Sequence, residues 1–294
     1  MPELPDVTVY CEALASRVVG QVLTRADVSH PFLLRTAAPP IAAAEGRRVV
    51  AVHRLGKRIA IELEGRLFVV IHLMIAGRLS WLAANDKSAP RSTLAVLHFS
   101  AGRLAITEAG TRRRAAMHVV EGDDALAAFE TGLEIAAIDE ATFAARLTAE
   151  NRTLKRALTD PRTFSGIGNA YSDEILHRAR LSPIAHTQKL APAEIPRFHA
   201  ATCQVLDEWT QRLRAQAAGG FPVKVTAFRP EMAVHGRYGK PCPACGAPVQ
   251  RIVYAENECN YCARCQTGGK VLADRALSRL LHESWPRSID ALEE

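Results

Sequence analysis

Apolar residues at Val7, Tyr10, Leu14 and Val18 recur at the three-to-four-residue spacing of one helical face, with Gly20 beyond them as a stop. This pattern predicts a helix from Pro5 to about Val18. The period then shortens. Apolar runs occupy Val22 to Val28, Arg47 to Leu55, Arg58 to Leu63, Leu67 to Met74, Leu79 to Leu82, Thr93 to Phe99 and Arg103 to Thr107, with short turns such as Glu64-Gly65 and Ala101-Gly102 between some of them. Short β-rich runs punctuated by turn residues read as strands, so residues 1–120 are expected to form a β-sandwich carrying an N-terminal helix. From Ala125 helical spacing returns, over Ala125 to Thr131, Glu140 to Ala149, Arg152 to Thr159, Ala170 to Arg180 and Pro192 to Ala217. The expected architecture is α+β and multidomain. The sandwich is followed by a linker at Glu121-Gly-Asp-Asp124 and a helical domain over 125–234. A small unit over 235–268 and a short C-terminal helix and tail over 269–294 complete it.

A length of 294 residues supports two ordinary domains. No stretch of 18 uninterrupted apolar residues occurs, and the chain opens with Glu3 and Asp6 where a secretory signal would be basic and then apolar. These features predict no membrane association and a cytoplasmic, nucleoid-associated location. The net charge of +6 is unevenly spread. Residues 151–240 hold 14 Lys/Arg against 7 Asp/Glu, leaving 23 against 24 in the remainder. A basic excess confined to one helical segment suits a polyanionic partner, although a solvated basic face gives the same composition.

Five of the seven cysteines fall between 242 and 265, in a chain without a secretory signal. Such clustering points to metal in preference to disulfides. Cys242-Pro-Ala-Cys245 and Cys262-Ala-Arg-Cys265 are two CxxC pairs separated by 16 residues, the spacing of a zinc-ribbon hairpin with one structural zinc per chain. Cys259 makes a further CxxC with Cys262, so spacing alone leaves it open as a ligand. Four thiolates close the coordination shell, which assigns the metal to folding and away from catalysis.

Phe164-Ser-Gly166-Ile-Gly168-Asn169 lies between two helical stretches, and its glycines force a tight turn whose amides, with the next helix N-terminus, suit a phosphate. A plain turn reads the same way. Lys155 on the preceding helix adds a cation that could reach the same phosphate. Proline after Met1 permits methionine removal, which would leave Pro2 with a free secondary amine able to attack an aldehyde carbon and form an iminium.

These segments together resemble the Fpg/Nei family of DNA glycosylase/AP lyases (formamidopyrimidine-DNA glycosylase and endonuclease VIII). The likeness runs from residue 2 to about 266. Met1-Pro-Glu-Leu-Pro-Asp6-Val resembles the N-terminal signature, Leu55-Gly-Lys57-Arg the lysine-bearing β-turn, and His72-Leu-Met-Ile-Ala-Gly77-Arg-Leu the void-filling loop. Leu154-Lys155 through Gly166-Ile-Gly-Asn169-Ala-Tyr-Ser-Asp-Glu174 resembles the helix–two-turn–helix, and Val234-His-Gly-Arg237-Tyr-Gly-Lys-Pro-Cys242 the approach to the zinc finger.

The resemblance implies a base-excision repair enzyme, working as a monomer on damaged double-stranded or single-stranded DNA. Pro2 would attack C1′ of the damaged nucleotide, displace the base and form an iminium, followed by elimination that cuts the strand. Glu3 would provide acid–base help at the sugar. Lys57, Asn169 and Lys155 would hold phosphates around a flipped nucleotide, and His72, Met74 and Ile75 would face the DNA from the void-filling loop. The pattern also departs from the family. Asp6 stands where glutamate is usual, and Ile75 where methionine is usual. Glu108-Ala-Gly-Thr-Arg112-Arg113-Arg114 replaces the loop that carries a phenylalanine wedge, and Asn257 occupies the place of the phosphate-binding arginine. Asparagine lacks the charged fork of arginine. Two readings follow: an active glycosylase/lyase with a non-standard lesion range, or a protein that binds lesions or abasic sites with weak or lost excision.

Overall fold

The computed structural model describes the chain except residues 84–85, 87–89, 224, 255–256, 275–278, 281–285 and 291–294, with the backbone alone of Tyr254 and Asn257. Contacts divide it into two compact units, one of Met1–Thr131 with Glu208–Thr226, the other of Gly132–Asp207 with Ala227–Glu294.

In the first unit α1 (Leu4–Val18) precedes eight strands: β1 (Leu23–Val28), β2 (Val49–Leu55), β3 (Arg58–Leu63), β4 (Leu67–His72), β5 (Gly77–Leu82), β6 (Thr93–Phe99), β7 (Gly102–Glu108) and β8 (Ala116–Glu121). They form two antiparallel four-stranded sheets, ordered β1-β6-β7-β5 and β2-β3-β4-β8. The helical face read from the sequence is the buried one: Val7, Tyr10, Leu14 and Val18 all enter the core, with α1 against β2. Each such burial contributes about 1.5–3 kcal/mol. β3 and β4 are apolar on both faces for a structural reason. Ile59, Ile61, Leu67, Val69 and Ile71 enter the sandwich core, while Ala60, Phe68 and Val70 are covered on the other side by Leu126 and Phe129.

β8 lies outside the strands expected from the sequence. Its inward residues, Met117 and Val119, alternate with the half-buried Ala116, His118 and Val120, a strand period masked by the alanines and arginines before it. The expected linker at Asp123-Asp124 is instead the first turn of α2 (Asp123–Ala127), where two carboxylates complement the exposed amides of a helix start. Glu208–Thr226, expected in the helical domain, packs with the sandwich. Phe221 lies 5.6 Å from the Tyr10 ring and 6.5 Å from Trp81, and Arg214 pairs with Glu12 at 2.5 Å.

The second unit holds α3 (Glu140–Thr148), α4 (Leu154–Thr159), α5 (Asn169–Arg178) and most of α6 (Glu194–Ala217). Phe143 stacks on Phe164 at 4.8 Å and meets Phe198 edge-on at 5.5 Å. Strands β9 (Gln250–Tyr254) and β10 (Asn257–Tyr261) form a hairpin, with α7 (Ala263–Thr267) after it. A small core of Val234, Ala247, Val249, Tyr261, Leu272 and Ile289 supports this module. The expected C-terminal helix falls largely outside the described residues. The described part returns to the module, where the Leu272 amide donates to Tyr261 Oη at 2.7 Å and the Ile289 amide to Gly269 O at 2.7 Å.

Candidate active site and nucleic-acid contacts

The N-terminal site belongs to the first unit. Pro2 is buried, and Glu3 is the N-cap of α1. The Glu3 amide donates to Asp6 Oδ2 at 3.0 Å within a reciprocal capping box. Asp6 therefore reaches its target although it is a methylene shorter than the usual glutamate. Both carboxylates are buried at the helix start, where exposed amides favour negative charge. The terminal amine, here that of Met1, is held below its ordinary range. Burial is the main cause, Arg78 and Lys57 act the same way, and Glu3 and Asp6 oppose them. Lys57 follows Gly56 in the two-residue turn joining β2 to β3, in which Gly56 has φ +60. Burial lowers the Lys57 ammonium and Glu3 resists the shift. Two carboxylates, an ammonium and a guanidinium thus surround one amine.

His72 ends β4, and its buried Nε2 has no hydrogen-bond partner among the described residues. Burial, then Arg58, Lys57 and His118, push it down to about 4, so the imidazole is neutral. The next turn is closed by the Gly77 amide donating to Leu73 O at 2.9 Å. A Cβ on Gly77 would lie 2.2 Å from that carbonyl oxygen, so only glycine closes it. Met74 takes φ +52, and Ile75 is 55% exposed at the tip. The β7–β8 loop carries Arg112, Arg113 and Arg114, all exposed, above a buried Glu108 that accepts the Arg114 and Ala115 amides at 2.9 and 3.0 Å.

In the second unit Asn169 opens α5 after Gly168, and its Nδ2 donates to Glu258 O on β10 at 2.9 Å. Lys155 lies inside the fold. Its side chain is 6% exposed, and Nζ donates to Asp173 Oδ1 at 2.5 Å and to Asn169 O at 2.7 Å. The buried ammonium is thus held by internal acceptors. Asp173 Oδ2 also accepts from His235 Nδ1 at 2.8 Å and from the Asn260 amide at 3.1 Å. Burial opposes the Asp173 charge, but Lys155 and His235 overcome it and keep the carboxyl below its usual range. Glu174 accepts the Ala233, Val234 and His235 amides at 2.7–2.9 Å. Sequence reasoning assigned no role to Asp173, Glu174 or Arg78. Two adjacent acids just inside a helix that follows a Gly-rich turn were the available signal for the first two.

Cys242, Cys245, Cys262 and Cys265 bring their sulfurs within 4.8 Å of one another. The Cys265 amide also donates to Cys262 Sγ at 3.5 Å. Four converging thiols, two of them buried, are a donor set suited to a tetrahedral divalent metal. Cys259 stands apart from them on β10 beside Asp173, and burial first, then that carboxylate, drive its thiol well above its ordinary range. Asn257 is the first residue of β10, opposite Tyr254.

A family model for the formamidopyrimidine-DNA glycosylase N-terminal domain matches residues 1–117, and one for the formamidopyrimidine-DNA glycosylase H2TH domain matches 132–215. The formamidopyrimidine-DNA glycosylase of Thermus thermophilus is 34% identical over 284 residues, covering 92% of this chain and all of that protein. The chain belongs to the formamidopyrimidine-DNA glycosylase family. A formamidopyrimidine-DNA glycosylase-like protein of Mycobacterium tuberculosis is 42% identical over 147 residues, 49% of this chain and 91% of that one. Among solved structures, Lactococcus lactis Fpg in complex with DNA containing an oxidised pyrimidine superposes with TM-score 0.80 at 25% identity, over 90% of this chain and all of that one. The same protein with abasic-site DNA gives 0.79 at 23%, over 90% and 99%. The amine site and the α4–α5 turn lie within the matched family segments, whereas the four cysteines lie beyond both. Among the described residues no helix is long and apolar enough to cross a membrane.

Proposed function

We propose that this protein is a base-excision repair DNA glycosylase with AP lyase activity, and that the Pro2 amine is its nucleophile once Met1 is removed. The observation that carries the reading is the buried charge cluster around the N-terminus: Glu3, Asp6, Lys57 and Arg78 all act on the Met1 amine, whose protonation burial disfavours, and the Pro2 amine freed one residue on would meet the same groups. An unprotonated amine attacks C1′ with its lone pair, and the glycosidic bond breaks with its electrons and a proton going to the departing base. Loss of the amine proton and opening of the sugar leave an iminium. Removal of a C2′ proton then expels the 3′ phosphate. Glu3, a buried carboxyl next to Pro2 in the chain, is assigned the proton exchange at the sugar oxygen.

Lys57, Asn169 and the His72 nitrogen that has no partner among the described residues are assigned to phosphates. Met74, Ile75 and the Arg112–Arg113 pair are assigned to the space a flipped nucleotide vacates. Lys155 positions Asn169 and contacts no phosphate in this scheme. Zinc is the metal assigned to the four cysteines, and it would supply a structural cross-link between the turn at Cys242–Cys245 and the start of α7.

Borohydride trapping on DNA with an abasic site tests the reading, because only an iminium is reduced to a stable amine. The untagged protein is expected to form the adduct, and an uncleavable tag ahead of Pro2 is expected to abolish it. Trapping that survives the tag would remove Pro2 from the mechanism. Lesion-specific binding without trapping would leave a damage-binding protein.

A further inference from the structure

Three side chains on α5, four residues apart, meet the cysteine module. Asn169 donates to Glu258 O and Asp173 accepts the Asn260 amide, while the buried His177 places Nε2 3.2 Å from Cys242 Sγ. Residues spaced i, i+4, i+8 share one helical face, so His177 is the last rung of a polar stripe whose first two rungs hold β10. Cys242 is itself buried and is one of the four converging sulfurs.

Resting on the zinc reading above, we propose that His177 is a positioning residue for the metal, donating its Nε2–H to the Cys242 thiolate. A metal-bound sulfur is deprotonated and has no proton to offer, which fixes the direction of the bond and the imidazole tautomer. Four thiolates around one divalent cation leave an excess of negative charge, and a buried N–H aimed at one of them disperses it. The same bond ties the module to the helix whose first residue closes the Gly-rich turn. Partners of this kind that orient metal ligands typically contribute 10–100-fold to metal retention.

The test uses the full-length protein and its His177→Phe, His177→Asn and His177→Gln variants. Zinc content is measured, then the rate of zinc transfer to a chromophoric chelator at neutral pH. Glutamine carries an amide N–H about as far from the backbone as Nε2, and asparagine is polar but too short to reach the sulfur. The Phe and Asn variants are expected to release zinc on the order of 10–100 times faster than the native protein, with Gln close to native. If the Phe variant fails to fold, the Asn and Gln pair carries the comparison. Equal release from native, Phe and Asn proteins, each holding one zinc, would overturn the role of His177 alone. Release from Gln as fast as from Phe would assign the effect to ring shape and overturn it too. A native protein that purifies without zinc would sink the metal assignment and this inference together.

Discussion

At the scale of single residues, the site turns on whether one amine is protonated. At the Met1 amine, burial, Arg78 and Lys57 favour the neutral form, and Glu3 and Asp6 favour the charged one, with a net downward shift; the Pro2 amine, one residue on, is expected to meet the same charges. A nucleophilic amine acts deprotonated, so initial trapping rates should rise with pH. Replacing Arg78 by glutamine removes one of the depressing charges. The amine should then hold its proton to higher pH, and the midpoint of the rate profile should move upward. A midpoint that stays put, or moves down, would show that Arg78 does not act on the amine. His72 should leave no mark on this profile, because its shift to about 4 keeps it neutral throughout the range.

At the scale of elements, the α4–α5 joint is held by a charge pair that the sequence concealed. Removing one partner of a buried ion pair costs about 3–5 kcal/mol, since it strands the other charge. Lys155→Met should therefore lower the melting temperature while leaving the salt dependence of DNA binding intact. Lys57→Ala should do the opposite, lowering the slope of log affinity against log salt by about one unit with little change in stability. A reduced salt slope in Lys155→Met would restore the phosphate role first read from sequence. The contrast marks what sequence carries. The strand runs and the helical face of α1 were legible because burial imposes a period on neighbouring residues. The CxxC pairs were legible because ligand spacing is local. The partner of Lys155 is 18 residues away on the next helix, and that of His177 is 65 away, so neither pairing leaves a local trace. The ambiguity over Cys259 had the same origin, and only the approach of the other four sulfurs, with Cys259 turned to Asp173, removed it.

At the scale of the whole molecule, the amine chemistry and the cysteine module are built by different units from different segments of chain. Asn169, Asp173, Glu174 and His177 connect α5 to that module and to the segment before it. Loss of the metal should therefore free β10, release the Asn169 side chain from Glu258 O and weaken DNA binding without altering Pro2. Cys262→Ser should lose zinc and raise the Kd for abasic-site DNA, yet still be trapped by borohydride when DNA is supplied above that Kd. Cys259→Ser should keep the metal and bind as the native protein does. Zinc retained by Cys262→Ser but lost by Cys259→Ser would mean that the wrong sulfur had been assigned. Zinc lost from Cys262→Ser together with all trapping at saturating DNA would show that the module reaches the chemistry itself, and the separation of binding from catalysis would fall.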